Sequence, residues 1–183
     1  MQHAHEVELF VFKLGGWTTH TDKFIYKSLG NTKIHSLSGV RKPLLLWLIS
    51  TIVQLFAFFI NALYRSSLLF STLAHSKRTF ILLLYAWKYY RNNHDMDLII
   101  CHNLGSLFPG YVIAKWTGAQ LAFDMEDYHP GEAMPTKGTE AEKRRREYLL
   151  EKLLPHCAYV SFAADGYEEL TRKHITTDIQ HPT

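Results

Sequence analysis

Two kinds of hydrophobic stretch alternate along this chain, and together they outline its secondary structure. Residues 6–14 form a short run rich in β-branched and aromatic side chains, and Gly15-Gly16 ends it. That composition followed by a glycine pair predicts a strand and then a tight loop. Residues 32–38 alternate less regularly and predict a second, shorter strand.

A long uncharged segment follows these strands. From Leu44 to Tyr64 there are 21 consecutive uncharged residues, between Arg41-Lys42 and Arg65. About 20 apolar residues are enough to span a bilayer, so a transmembrane helix has to be considered. The polar side chains of the segment nevertheless recur at helical spacing, which indicates a helix with one narrow side against water or polar groups. This polar stripe consists of Ser50, Gln54, Asn61 and Arg65.

The second half of the chain alternates strands with helices. Residues 97–101 form a compact apolar run, residues 104–116 have helical spacing, and residues 120–123 form another apolar run that ends at Asp124. A strand, helix and strand within about 30 residues suit a right-handed crossover between parallel strands. A helix over 139–154, a strand over 158–162, a helix over 165–174 and the start of a strand over 177–183 are also predicted.

These elements predict an α/β fold, Rossmann-like, with one mainly parallel sheet and helices on both faces. We expect residues 34–37 and 98–101 to lie in the same sheet. A helix crossing a bilayer at 44–64 would separate those strands, because the next apolar stretch, 80–87, is too short to cross back. The sequence therefore favours an interfacial or buried helix over a membrane span.

Composition supports a single globular domain over residues 1–183. The chain is 47% hydrophobic and 20% charged, which argues against disorder. Its two cysteines, Cys101 and Cys157, indicate neither a secreted disulfide framework nor a cysteine-rich zinc module. The polar start of the chain does not resemble a signal peptide, so a cytoplasmic location is the default expectation.

The charge of the chain is strongly asymmetric. Between Lys23 and His94 there is no acidic residue and there are ten basic ones, whereas the rest of the chain has ten basic and seventeen acidic residues. A basic and very apolar segment is typical of contact with an anionic surface, whether membrane lipid, a phosphorylated ligand or nucleic acid. We expect the inner face of a membrane. The predicted contact residues are Arg41, Lys42, Arg65, Lys77 and Arg78.

Nucleic-acid binding is not predicted. The basic run 143–146 is interleaved with Glu140, Glu142 and Glu147 on one predicted helix. Such spacing is typical of a solvated face with salt bridges between successive turns.

The candidate site residues follow the predicted strands, because ligands of parallel sheets bind beyond the carboxyl ends of the strands. Those predicted to bind substrate are Gly15, Gly16, His102 and Asn103. The catalytic candidates are the carboxylates Asp124, Glu126 and Asp127, which are suited to accept a hydroxyl proton or to orient a sugar hydroxyl. A plain glycine turn and a solvated acidic turn remain the alternatives. No metal site is predicted, and the sequence contains no Gly-rich nucleotide-binding motif.

The motifs of the second half resemble a known enzyme family. Residues 97–104 (DLIICHNL), 115–118 (KWTG), 122–128 (AFDMEDY) and 159–170 (YVSFAADGYEEL) resemble the amino-terminal half of GT-B glycosyltransferases of the subfamily 4-like kind. The resemblance covers about residues 96–183, and residues 6–14 are similar to the strand that follows a His-Glu-Val start. It implies transfer of a sugar from a nucleotide-sugar donor to an acceptor hydroxyl, on a lipid-linked acceptor or a polysaccharide, without a metal.

The chain also departs from the family pattern. Where the family commonly has Asp-x-His-Glu, this chain has Asp124-Met-Glu126-Asp127. The resemblance therefore implies a role for Asp124 and, for Glu126 and Asp127, only their acidic character. His102 matches a family position, and Asn103 stands where aspartate is usual.

The family's first strand–loop–helix unit and its nucleotide-sugar domain are expected to be absent from this chain. The chain would then be an acceptor-side half that is inactive alone and holds no cofactor. A non-catalytic α/β binding module and a small membrane-anchored protein remain the alternatives.

Overall fold

The computed structural model describes residues 6–16, 18–30, 32–64, 67–92, 95–132 and 139–173. The chain divides into two compact units, Met1–Ile49 and Ser50–Thr183. Each unit has a parallel sheet in its described part.

The first unit contains two parallel strands joined by a helix. Strand β1 (Glu8–Lys13) pairs with strand β2 (Lys33–Ser38), and helix α1 (Thr18–Ser28) connects them. Both predicted strands are therefore confirmed, whereas α1 was not predicted. Gly15 and Gly16, which follow β1, have φ of 72° and 76°. Glycine adopts this left-handed conformation without the steric cost that other residues incur.

Three successive helices follow the first sheet. Helix α2 (Leu44–Leu63) confirms the helix predicted over 44–64, and it is followed by α3 (Leu68–His75) and α4 (Lys77–Tyr90). Ser76 connects the last two. Its backbone N–H donates to the carbonyl of Thr72 and its hydroxyl accepts from the N–H of Arg78, so this one residue ends α3 and begins α4.

The second unit has a parallel sheet of order β3-β4-β5. The strands are β3 (Leu98–Cys101), β4 (Gln120–Met125) and β5 (Tyr159–Phe162). Its later helices are α5 (Leu104–Thr117), α6 (Thr139–Leu153) and α7 (Asp165–Arg172). The parallel strand–helix–strand predicted over 97–123 is confirmed, and so is the strand predicted over 158–162. The strand predicted over 177–183 lies outside the described residues.

The α/β class with parallel strands is confirmed, but the expectation of one continuous sheet is wrong. Within the described residues β1 and β2 form one sheet, and β3, β4 and β5 form another. In the part of the chain that the structure describes, helices α2, α3 and α4 lie between β2 and β3, whereas adjacent parallel strands are usually joined by a single crossover. The argument that a membrane span would separate strands of one sheet therefore no longer applies. Whether α2 spans a membrane has to be judged from the contacts that α2 makes.

The core of the second unit lies between its sheet and helices α5 and α6. Its central strand β4 is almost wholly buried, as expected for a strand covered on both faces. Its most completely buried side chains include Leu104, Leu107, Leu121, Phe123, Met125, Leu149, Leu150, Leu153 and Val160. Gly110 lets α5 lie very close to the sheet, because a Cβ at this position would overlap the sulfur of Cys101.

The solvated face predicted for 143–146 is only partly confirmed: Arg144 is exposed, but Arg145 and Arg146 are not. The side chains of Arg145 and Arg146 are only 10% and 12% exposed, and both pair with Glu142. Arg146 also binds Glu132 at 2.8 Å. Burial by itself raises the pKa of Glu142, but the hydrogen bond from His75 and the neighbouring positive charges outweigh it and hold that pKa below its ordinary value.

Candidate functional site

Two side chains predicted as site residues meet at the carboxyl edge of the second unit's sheet. His102 directly follows β3, and Asp124 is the second-last residue of β4. Cys101 pairs with Phe123 across the two strands, so the residues that follow this pair lie side by side. His102 Nδ1 lies 3.1 Å from Asp124 Oδ2. The parallel pairing of β3 and β4 therefore brings these two predicted site residues together.

A third strand holds the other oxygen of Asp124. Ser161 of β5 is its register partner, and the Ser161 hydroxyl donates to Asp124 Oδ1 at 2.7 Å. The carboxylate is thus bound from both neighbouring strands, which fixes its orientation. The sequence did not predict a role for Ser161, because that role depends on the pairing of β4 with β5.

The hydrogen bond to Asp124 determines which imidazole nitrogen of His102 carries the proton. An ionised carboxylate only accepts hydrogen bonds, so Nδ1 is the donor, and in the neutral ring Nε2 is then the acceptor. The side chain of His102 is 59% exposed, so a ligand arriving from solvent reaches it. This arrangement prepares Nε2 to take a proton from a hydroxyl group.

Glu126 completes a group of three. Its Oε1 lies 3.7 Å from His102 Nδ1, and the potential ligand atoms of His102, Asp124 and Glu126 all lie within 4.8 Å of one another. An imidazole and two carboxylates form a donor set suited to a divalent cation, which the sequence did not predict. Asp124 already forms a charge-assisted hydrogen bond with His102, whereas Glu126 lies beyond hydrogen-bond distance of the ring.

The structure places the other predicted site residues, Asn103, Asp127, Gly15 and Gly16, as follows. Asn103 is the N-cap of α5, and its side chain accepts from the N–H of Ser106 at 3.2 Å. Asp127 is exposed, two residues beyond the end of β4. Gly15 and Gly16 belong to the first unit, where their backbone conformation accounts for the residue type.

The predicted membrane-contact residues are distributed over several elements. The guanidinium of Arg41 lies 5.3 Å from the centre of the Trp47 ring. Lys42 accepts a hydrogen bond from Ser38 through its backbone carbonyl. Lys77 and Arg78 form the first turn of α4. Arg65 lies outside the described residues.

A cleft of about 320 Å³ is found at the opposite edge of the second sheet, near the amino ends of β4 and β5. Lys115, His156 and Cys157 contribute to its lining. Burial raises the pKa of the Cys157 thiol to about 12, so this sulfur is not a nucleophile at neutral pH. Ligands of parallel sheets bind at the carboxyl edge, so the site is assigned to His102 and Asp124 instead.

In comparisons with known proteins, no family model, no curated protein and no solved structure matches this chain. The glycosyltransferase resemblance therefore rests on the sequence motifs and stays a prediction.

Proposed function

We propose that this chain is the acceptor-side half of a GT-B-like glycosyltransferase, Rossmann-like with helices on both faces of its sheet, in which His102 and Asp124 receive the acceptor hydroxyl. The observation that carries the proposal is the 3.1 Å contact between these side chains at the carboxyl ends of adjacent parallel strands. Polar ligands of such sheets bind at this edge. The motif resemblance over residues 96–183 supports the same function.

The chemistry assigned to the pair is general-base catalysis. The acceptor oxygen attacks the anomeric carbon of a nucleotide sugar, and the bond from that carbon to the phosphate oxygen breaks, so the nucleotide leaves with the bonding electrons. The hydroxyl proton moves to Nε2 of His102. Asp124 keeps Nδ1 protonated and stabilises the imidazolium that forms, while Ser161 holds Asp124 in place.

The alternative is a saccharide-binding module without catalysis. Such a module would use the same exposed polar edge, but it would need no proton acceptor aligned with the bound hydroxyl. The two functions therefore differ in whether a saccharide hydroxyl binds Nε2 of His102.

Nuclear magnetic resonance of protein labelled with ¹⁵N in its histidine rings measures this directly. We expect acceptor saccharides, including short lipid-linked ones, to shift the Nε2 resonance of His102. Asp124→Asn should weaken saccharide binding about tenfold, because the charged hydrogen bond that orients the ring is lost. Asp97→Asn is the matched control, since Asp97 is an exposed carboxylate just before β3, at the opposite edge of the sheet.

Saccharide binding that leaves the His102 resonance unchanged would favour the non-catalytic module. No binding of any saccharide, or equal losses in Asp124→Asn and Asp97→Asn, would overturn the assigned site. Titration with nucleotide sugars tests the acceptor-side assignment separately, because tight donor binding by this chain would contradict it.

A further inference from the structure

From Ser50 onward, helix α2 belongs to the second unit and packs within it through its polar side. Ser50 and Asn61 are buried, with exposures of 0% and 7%. Gln54 Nε2 donates to the carbonyl of Ala74 at 3.1 Å, and Asn61 Nδ2 donates to the Ser71 hydroxyl at 2.7 Å. The polar stripe predicted from the sequence therefore faces polar groups of the protein itself.

The opposite side of the same helix is apolar and exposed. At about 100° per residue, five large side chains fall on the side away from Asn61. They are between 57% and 65% exposed. We call them the apolar face of α2: Ile52, Leu55, Phe56, Phe59 and Leu63. Surface helices of globular proteins usually pack their apolar side against the core and expose their polar side, which is the reverse of what α2 does. A contiguous exposed apolar surface of this kind marks an interaction site.

We infer that the apolar face of α2 lies flat in the interface of an anionic lipid bilayer. Helices α2, α3 and α4 pack together and contain no acidic residue, and the first turn of α4 carries Lys77 and Arg78. Helix α6 also packs against α2 and α3, and its Glu142 is paired with His75, Arg145 and Arg146. An exposed apolar helix face, together with basic residues on a helix that packs in the same cluster, is the combination that binds anionic membranes.

The exposed aromatic residues of α4 also favour contact with an anionic bilayer. Trp87 and Tyr89 are 54% and 40% exposed, and the Arg91 guanidinium lies 4.2 Å from the centre of the Trp87 ring. Lys88 lies 5.0 Å from the centre of the Tyr89 ring. Tryptophan, tyrosine and basic side chains are enriched where a membrane meets water.

The contacts of α2 argue against a membrane span. The helix is long and apolar enough to cross a bilayer, with a mean hydropathy of 2.1 in its most apolar window. A spanning α2 would, however, have to leave α3 and α6. Gln54 and Asn61 would enter hydrocarbon, and Arg145 of α6, whose Nε donates to Asn61 Oδ1 at 3.1 Å, would lose this partner.

The charge of the region argues against a second copy of the chain as the occupant. A dimer formed through the apolar face of α2 would bring together two sets of helices that carry basic residues and no acidic ones. Like charges on both sides of an interface oppose association, whereas anionic lipid headgroups neutralise them.

Cosedimentation with vesicles tests the inference without any sugar, so its outcome is independent of the proposed glycosyltransferase function. We expect stronger binding to vesicles that contain phosphatidylglycerol than to pure phosphatidylcholine, and weaker binding in high salt. The double substitution Phe56→Ser with Phe59→Ser should lower partitioning at least about tenfold. Leu170→Ser is the matched control, because Leu170 is an exposed leucine of α7, 38% accessible. Circular dichroism verifies that the variants fold.

A second measurement does not depend on a disruptive variant. With Phe59→Trp, lipids brominated near the headgroups should quench the added fluorescence more than lipids brominated at the bilayer centre.

Equal binding to neutral and anionic vesicles would overturn the inference, as would equal effects of the double substitution and Leu170→Ser. Resistance to alkaline extraction would overturn it in favour of a span. A dimer in solution that Phe56→Ser with Phe59→Ser dissociates would overturn it in favour of a second copy.

Discussion

Asn61 provides the most direct test of how α2 is held, because it connects this helix to two others. Its amide donates to Ser71 of α3 and accepts from Arg145 of α6, and only 7% of the residue is exposed. Asn61→Leu keeps the side-chain size approximately and removes both hydrogen bonds. A buried hydroxyl and a buried guanidinium N–H then lose a partner.

The expected cost follows from those two groups. A buried polar group left without its partner costs about 1–3 kcal/mol, so we expect Asn61→Leu to lower the free energy of unfolding by about 2–4 kcal/mol. At about 2–4 °C per kcal/mol for a chain of this size, the thermal midpoint should fall by roughly 5–15 °C. Urea and thermal unfolding followed by circular dichroism measure both quantities.

Two further variants make the test specific. Ala62→Leu, at the neighbouring exposed position, should change stability by less than about 0.5 kcal/mol. Asn61→Leu combined with Arg145→Met should cost less than the sum of the two single substitutions, because both partners of one hydrogen bond are then removed. Wild-type stability of Asn61→Leu would refute the packing of α2 described above, and tighter membrane binding of the same variant would then favour a spanning helix.

Three further predictions concern the interior of the second unit. Gly110→Ala should destabilise the protein by about 1–3 kcal/mol, because the new methyl group overlaps the sulfur of Cys101, and Cys101→Ala should relieve part of this loss in urea unfolding. The pKa of Glu142 is below its ordinary value of 4.5 in the folded protein, so the stability that its ionised carboxylate contributes is present above pH 4.5 and is lost on acidification. The free energy of unfolding should therefore fall more steeply from about pH 5 to about pH 3 in wild type than in Glu142→Gln. An equal slope in both proteins would contradict the pairing of Glu142 with its basic neighbours. Burial raises the pKa of Cys101 to about 12, so a thiol reagent at pH 8 should react with this sulfur much faster in urea than in native protein.

The sequence predicts best those elements whose local signals agree. Helix α5 begins at the N-cap Asn103 and ends at Gly118, whose φ of 81° is the left-handed conformation common after helices. The apolar runs on either side of it then become parallel strands. Helix α3 was missed because Ser71 and Thr72 interrupt its apolar pattern. Both are buried polar residues, which a periodicity argument takes for exposed positions.

Contacts between residues far apart in the chain limited what the sequence could predict about the candidate site and about helix α6. The contact between His102 and Asp124 was predictable, because each side chain lies at the carboxyl end of a parallel strand. Ser161 was not, since its role requires the register of β5. The burial of Arg145 was equally hidden, because its partner Asn61 lies 84 positions earlier in the chain.

That separation of 84 positions has a consequence for the ribosome-bound chain. Helix α2 is synthesised well before α6, so for the time needed to add these residues its Asn61 has no arginine to bind. Until α6 has been translated, α2 is an apolar segment long enough to span a membrane, and Arg145 is not yet present to bind it. In that state it resembles a newly synthesised transmembrane helix. We therefore expect insertion of α2 into a membrane to compete with packing of α2 against α6 until α6 has been synthesised.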